Sequence, residues 1–177
     1  MIALYISDTQ ISLAHYSRVH SSPLLVNITA VDLQGSLVED LSREELAVNH
    51  LINGIQEAND KVFITGNEIL ISLTDALVYH EAFQTEQDMS DADIITLVEW
   101  KKDKRWGSTA EKFKAFIELY NDRRQGHIIY VHDFLIQAIK KILKTFSGSP
   151  VWLSTESRVL SALGKLPIMT IKLTGSH

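Results

Sequence analysis

The order of elements predicted in the middle of the chain constrains its fold most, because this order is uncommon. Apolar periodicity and turn residues predict a strand, a helix, a strand, a hairpin turn, a strand and a helix in succession. These segments are Ile69–Phe83 with a possible bend at Thr74-Asp75, Asp91–Trp106, Phe113–Tyr120, His127–His132 and Phe134–Phe146. A second hairpin-like run of strands opens the chain, so we expect a mixed α/β fold.

Strands and one helix precede this middle unit. The strands are predicted over Ile2–Ile6, a run around Ile11 and Leu13, Leu24–Leu33 and, after the helix, Lys61–Thr65. Ser42 and Glu45 have the spacing of a capping box, which predicts that the helix begins there. Leu51 and Ile55 follow at helical spacing and are expected to be buried.

Local signals also set the boundaries inside and after the middle unit. Ser90 and Asp93 predict the start of its first helix, whose apolar face is expected to hold Ile94, Leu97, Val98 and Trp100. Glu111–Tyr120 has helix-forming residues, but its alternation favours a strand that pairs with His127–His132 through a turn at Asn121–Gly126. Asp133 is expected to cap the next helix. The chain then predicts a strand at Val151–Leu153, a helix at Ser154–Leu163 and a strand at Ile168–Leu173.

Composition limits the classes of function. The chain has 177 residues, a net charge of −5 and no cysteine. The charge argues against a surface dominated by nucleic-acid binding, and the absence of cysteine excludes disulfides, a thiol nucleophile and Cys-ligated metals. The chain shows no basic leader and no long apolar run, so we expect a soluble cytoplasmic protein without membrane insertion.

Two stretches resemble a known family. "ISLTDALVYHEAF" followed by "DADIITLVEWKKDKRW", and "HIIYVHDFLIQAIKKILKTFSGSPVWLSTESRVLSAL", are similar to passages of the PilM and FtsA group of actin-like proteins. That group includes type IV pilus assembly proteins and the related cytoplasmic domains of type II secretion. The resemblance implies the first half of an actin-like, RNase H-like fold. Residues 1–75 plus 149–177 would form the core, and 76–148 an inserted strand-helix-strand-strand subdomain.

The resemblance also implies a nucleotide site, from which this chain departs. Actin-like ATPases have an Asp-x-Gly-x-Ser/Thr pattern in the first hairpin, where Asp serves the metal and Gly lets backbone N–H groups approach phosphate. Here Tyr5 replaces that Asp and Ser7 the Gly, followed by Asp8 and Thr9. We interpret Asp8 as a turn residue rather than a shifted metal ligand. The family closes two halves around ATP, and the second half would begin where this sequence stops. We therefore expect a degenerate phosphate loop and no cofactor.

Other candidate chemistry is weaker. His127 and His132 lie five residues apart on a strand and point to opposite faces, so they cannot share a metal. Asp8, Asp32 and Glu68 invite comparison with RNase H-like nucleases, but the first strand has no acid at its centre. The basic run Lys101–Arg105 is typical of the solvated end of a helix.

Three functions remain open. The first, which we favour, is a non-catalytic interaction or scaffold module in a pilus or secretion type of membrane assembly, with a protein partner or a second copy of itself. The second is half of a split actin-like ATPase, and the third is a metal-dependent nuclease. The surface expected to bind the partner consists of Trp106 at its rim and the final strand with Ile168, Ile171 and Leu173.

Overall fold

The computed structural model describes residues 1–19, 22–64, 68–85, 90–119 and 125–156. Within these ranges the chain divides into two compact units. Residues 1–77 and 138–156 belong to the first unit, and Val78–Gln137 form the second. Each unit has its own β-sheet with helices, which confirms the α/β fold class. The boundaries predicted from the sequence, 1–75 plus 149–177 around 76–148, stay a prediction.

Strands and helices alternate along the described part of the chain. The strands are β1 (Ile2–Ile6), β2 (Gln10–Val19), β3 (Ser22–Asp32), β4 (Glu68–Leu73), β5 (Val78–Gln84), β6 (Phe113–Leu119), β7 (Gln125–His132) and β8 (Ser149–Thr155). The α-helices are α1 (Leu37–Asp40), α2 (Glu44–Lys61), α3 (Asp91–Trp106) and α4 (Asp133–Thr145). Short 3-10 helices lie at Asp75–Leu77 and Gly107–Lys112.

The first unit contains a five-stranded sheet in the order β3-β2-β1-β4-β8. Strands β1, β2 and β3 form an antiparallel meander, whereas β4 runs parallel to both β1 and β8. Every second residue of β1 is buried, as the alternating pattern predicts. Helix α2 packs on β2 and β3. It approaches them closely at Gly54, where an added Cβ would lie 2.4 Å from Leu33 Cδ2 and 2.8 Å from Ile11 Cδ1.

Both ends of α2 differ from the sequence prediction. The capping box at Ser42 and Glu45 is wrong, because the separate helix α1 comes first and α2 starts after Arg43, which makes no side-chain cap. The predicted strand Lys61–Thr65 is also wrong over its described residues. Lys61 is helical, and the buried Asn59 side chain accepts a hydrogen bond from the Ile64 N–H at 2.8 Å. This contact ties Ile64, which lies beyond the helix, to the last turns of α2.

The second unit contains a three-stranded antiparallel sheet in the order β5-β7-β6. The predicted pairing of the Phe113 strand with the His127 strand is confirmed, with Phe113 opposite His132 and Leu119 opposite Gly126. Ser90 and Asp93 form the predicted capping box of α3. That helix packs its Ile94 and Val98 into a core with Phe83, Phe113, Ile128 and Tyr130.

Four further predictions need correction. Ile69–Phe83 is not one strand, because a 3-10 helix separates β4 from β5 and the two strands belong to different sheets. Trp100 is exposed rather than buried. Asp133 is the first residue of α4, and its carboxylate accepts a hydrogen bond from Gln137. Ser154 belongs to β8 instead of starting a helix. Residues 120–124 of the predicted strand and turn, the predicted helix beyond residue 156 and the predicted strand Ile168–Leu173 lie outside the described residues.

Candidate functional site

The loop between β1 and β2 occupies the position of the phosphate loop predicted from the resemblance. Ser7 closes this loop on Gln10: the Ser7 N–H donates to the Gln10 carbonyl at 2.9 Å, and the Gln10 N–H donates to Ser7 Oγ at 2.9 Å. Thr9 accepts a hydrogen bond from the Leu33 N–H through its carbonyl. The loop is therefore a tight turn whose backbone groups bond within the protein.

Asp8 ties this loop to the start of α1. Its Oδ1 accepts hydrogen bonds from the Ser36 hydroxyl at 2.7 Å and from the Val38 N–H at 2.8 Å. The Asp8 carbonyl also accepts from the Leu37 N–H at 2.8 Å. A carboxylate beside the first N–H groups of a helix is favourable, since those groups have no partner inside the helix. This geometry gives Asp8 a structural role.

Two other segments meet the same end of the sheet. The Thr74 N–H donates to the Ile6 carbonyl at 2.8 Å, and the Thr74 hydroxyl donates to Glu156 Oε2 at 3.2 Å. Thr155, just before Glu156, is buried. Metal binding needs several converging ligands, and no group of three or more His, Cys, Asp or Glu side chains is suitably placed among the residues that the structure describes.

The acids proposed for a nuclease do not converge. Asp32 accepts a hydrogen bond from Gln10 Nε2 at 3.0 Å at the end of β3. Strands β1 and β4 are parallel, with Ile2 opposite Ile69. Glu68 therefore lies at the start of this strand pair, whereas Asp8 lies beyond its far end. At the usual rise per residue of a strand, Glu68 and Asp8 are about 20 Å apart. Two-metal hydrolysis needs its carboxylates around ions that lie within a few ångströms of each other.

The two histidines of β7 have different surroundings. The His132 ring contacts Phe113 at a centroid distance of 4.4 Å and Tyr79 at 6.3 Å. His127 instead meets His80 of β5, with His80 Nδ1 2.8 Å from His127 Nε2. His80 cannot be identified as a neighbour of His127 from the sequence, because the pattern of β5 indicates a strand but not that this strand pairs with β7.

The basic residues at the end of α3 make contacts within the second unit. Lys101 forms an ion pair with Glu81 at 2.5 Å and Lys102 with Glu99 at 2.6 Å. The Arg105 guanidinium lies over the Tyr79 ring. These contacts agree with the interpretation of this run as a helix end rather than a phosphate-binding patch.

The Trp106 ring packs against the core of the second unit. The ring is partly buried and stacks on Phe113 at a centroid distance of 4.2 Å. Tyr79 and Tyr130 contact it edge-on at 5.5 Å and 4.8 Å. A role for Trp106 in partner binding stays a prediction, as does one for Ile168, Ile171 and Leu173, which lie outside the described residues.

A shallow cleft lies at the start of α2. Its volume is about 430 Å³, and it is lined by Arg43, Glu44, Glu45, Leu46 and Asn49. This lining combines carboxylates with a guanidinium and has no nucleophile next to a base. We therefore assign no chemistry to the cleft.

The most unusual surface of the first unit is β3, which is an edge strand among the described residues. Leu24, Leu25, Val26 and Ile28 are between 48% and 63% exposed. The sequence from residue 19 to residue 31 contains no Asp, Glu, Lys or Arg. Edge strands usually carry charges or proline that discourage pairing, and β3 has only Pro23 near its start and Asp32 at its end. Apolar patches on soluble proteins usually mark a contact. This apolar edge, defined by these four residues, is our candidate functional site.

Comparisons with known proteins place the fold. No protein-family model and no curated protein matches the sequence. Among solved structures, the chain is similar to a chain of the PilM-PilN type IV pilus biogenesis complex, with a TM-score of 0.64 and 13% identity over 94% of this chain and 52% of that one. It is also similar to the cytoplasmic domain of EpsL, an inner membrane component of the type II secretion system of Vibrio cholerae. There the TM-score is 0.54 and the identity 10%, over 86% of this chain and 56% of that one.

A third solved structure is a Bacteroides thetaiotaomicron protein with an actin-like ATPase fold and unknown function, with a TM-score of 0.47 and 8% identity over 93% of this chain and 55% of that one. The first two likenesses confirm the predicted PilM-like fold. The chain spans about half of the length of these solved chains. Within the described ranges, no helix is both long enough and apolar enough to cross a bilayer.

Proposed function

We propose that this chain is a non-catalytic interaction module of PilM-like fold, which acts at the cytoplasmic side of a membrane-associated assembly of the pilus or secretion type. The observation that carries the proposal is the apolar edge of β3. The PilM and EpsL likenesses support the setting, since one solved structure is a PilM-PilN complex and the other belongs to an inner membrane component. The partner is a protein that contributes an extended apolar segment.

The apolar edge has the chemistry of a protein contact. Completing the burial of four aliphatic side chains that are about half exposed contributes on the order of 4 kcal/mol before the cost of association. The edge is not a continuous backbone ladder, because a register shift follows His15 of β2, and Asn27 Oδ1 accepts the Ile28 N–H at 2.8 Å. Docking therefore depends on apolar side chains more than on added backbone hydrogen bonds, and an uncharged partner segment fits best.

Site-specific photo-crosslinking tests this function. A photoreactive amino acid at Ile28 of the full chain should crosslink, in cells, to one protein of a pilus or secretion type of assembly. The same group at Phe63, which is 74% exposed in the same unit but is not part of β3, should not. Absence of crosslinks from Ile28, or the same products from Phe63, would contradict the proposal.

The substitution Ile28→Lys should weaken binding of the crosslinked partner at least tenfold. A lysine ammonium would have to be desolvated against an apolar segment, whereas the exposed position tolerates it in the free protein. The free energy of unfolding should change by less than about 0.5 kcal/mol. Calorimetric titration of the purified partner measures the affinity, and Phe63→Lys is the matched control. Equal affinities for the Ile28→Lys and unsubstituted chains would place the contact elsewhere.

The chain should bind Mg-ATP no more tightly than millimolar and should not hydrolyse it. The physical reason is local: Tyr5 and Ser7 stand where the fold requires Asp and Gly, and Asp8 Oδ1 already accepts two hydrogen bonds at α1. Isothermal titration calorimetry with Mg-ATP, next to a nucleotide-binding actin-like ATPase as a positive control, measures this. Micromolar affinity would favour the split ATPase instead.

A further inference from the structure

Two histidines of the second unit lie side by side on one face of its sheet. His80 of β5 pairs in register with Ile129 of β7, and His127 pairs with Ala82, so the two histidines are diagonal neighbours. Their rings have a centroid distance of 5.0 Å and an interplanar angle of 47°. His80 Nδ1 is 2.8 Å from His127 Nε2. Nitrogens at this distance require that at least one ring is neutral and offers a lone pair.

The surroundings keep His127 in the neutral form that binds metals. Its partial burial lowers its pKa, and the neighbouring His80 lowers that pKa further. The row of His80 holds Ile129 and Phe116, and the row of His127 holds Ala82 and, in register on β6, Glu118, the one charged residue of the two rows, whose charge is negative. No ammonium or guanidinium among the described side chains of these rows opposes a bound cation.

We propose that His80 and His127 form a binding site for a divalent transition metal, with Cu²⁺ or Ni²⁺ as the best match. The observed 2.8 Å is the distance of a hydrogen bond between the rings, so a bound ion takes the place of the shared proton and the rings turn until both lone pairs point to it. Cu²⁺ and Ni²⁺ stand near the top of the affinity order of divalent ions for nitrogen sites, and water completes the coordination.

Metal titration of the full chain, without an affinity tag, tests the site. We expect saturable binding of one Cu²⁺ per chain with about micromolar affinity, weaker binding of Ni²⁺ and none of Mg²⁺, because imidazole suits the transition metals and Mg²⁺ prefers oxygen. Equilibrium dialysis gives stoichiometry and affinity. The visible absorption band of bound Cu²⁺ reports nitrogen ligation independently.

Variants separate this site from the other histidines of the chain. His127→Ala and His80→Asn should each lower Cu²⁺ affinity at least tenfold and shift the absorption band. His15→Ala, which removes a histidine of β2 in the first unit, should leave both unchanged. Melting curves without metal identify any variant that fails to fold. If one of the two histidine variants fails, the other one tests the site. The proposal is overturned if the unsubstituted chain binds no Cu²⁺ saturably, or if binding survives both substitutions.

Discussion

Replacing Tyr130 by alanine should lower the free energy of unfolding of the second unit by about 4 kcal/mol, because it removes the largest fully buried side chain of that unit. The Tyr130 ring lies at the centre of the core, in edge-on contact with Trp106 at a centroid distance of 4.8 Å. Alanine leaves a cavity where these contacts were. Urea denaturation followed by tryptophan fluorescence measures the loss, since Trp106 reports directly on this core.

Tyr130→Phe is the matched control. It keeps the ring and removes only a hydroxyl whose contact with Glu81 is long, at 3.5 Å, so the expected cost is below about 1 kcal/mol. If the alanine and phenylalanine variants were equally stable, the ring would not support the core.

The same hydroxyl makes the stability of the second unit depend on pH. Burial, and then the negative charge of Glu81, raises the pKa of Tyr130 from 10.0 to about 12. The folded state therefore holds the phenol proton more tightly than the unfolded state. This contribution to stability is complete below pH 10, is lost as the pH rises towards 12, and is absent from the phenylalanine variant.

Replacing Leu51 by alanine should lower the free energy of unfolding of the first unit by about 3 kcal/mol. Leu51 is fully buried in α2, which packs on β2 and β3. At Gly54, one turn further along, the helix already lies too close to the sheet to admit a Cβ without movement of Leu33 or Ile11. The helix therefore cannot collapse freely into the space that Leu51 leaves, and much of the cavity remains.

Ile52→Ala, at the half-buried neighbouring position of the same helix, provides the comparison. It changes helix propensity in the same direction but empties less of the core, so we expect about 1 kcal/mol. Chemical denaturation of both variants, followed by circular dichroism, measures the difference. An equal loss for the two substitutions would mean that α2 does not use its Leu51 face to cover the sheet.

Local patterns were sufficient for most strands and for part of the helix boundaries. The alternation in Ile2–Ile6 and Phe113–Leu119 identified strands because side chains alternate between two faces of a sheet. Ser90 and Asp93 identified the start of α3, because both capping hydrogen bonds lie within three residues of each other. The Ser42 and Glu45 spacing misled, because α2 begins one residue later than this spacing predicts and its N-cap position falls on Arg43, which makes no side-chain cap.

The candidate site was only partly accessible from the sequence. The replacement of the expected Asp and Gly by Tyr5 and Ser7 is visible in the sequence. The hydrogen bonds of Asp8 with Ser36 and Val38, however, join residues about thirty positions apart. The sequence predicts the contact surface in the final strand, with Trp106 at its rim. The structure indicates β3 instead. This strand lies at one end of the described sheet, and the order of strands in a sheet cannot be read from the pattern of any one strand.

The sequence by itself determined most of the strands and helices and the α/β class, which follow from periodicity, capping and turn residues that act over a few positions along the chain. The PilM-like fold was inferred instead from the resemblance of two stretches to a known family. Only the tertiary structure decided that Ile69–Phe83 splits between two sheets and that His80 meets His127 across 47 positions. The register of paired strands and the packing of helices on them set such contacts, and these depend on the whole chain rather than on any one segment.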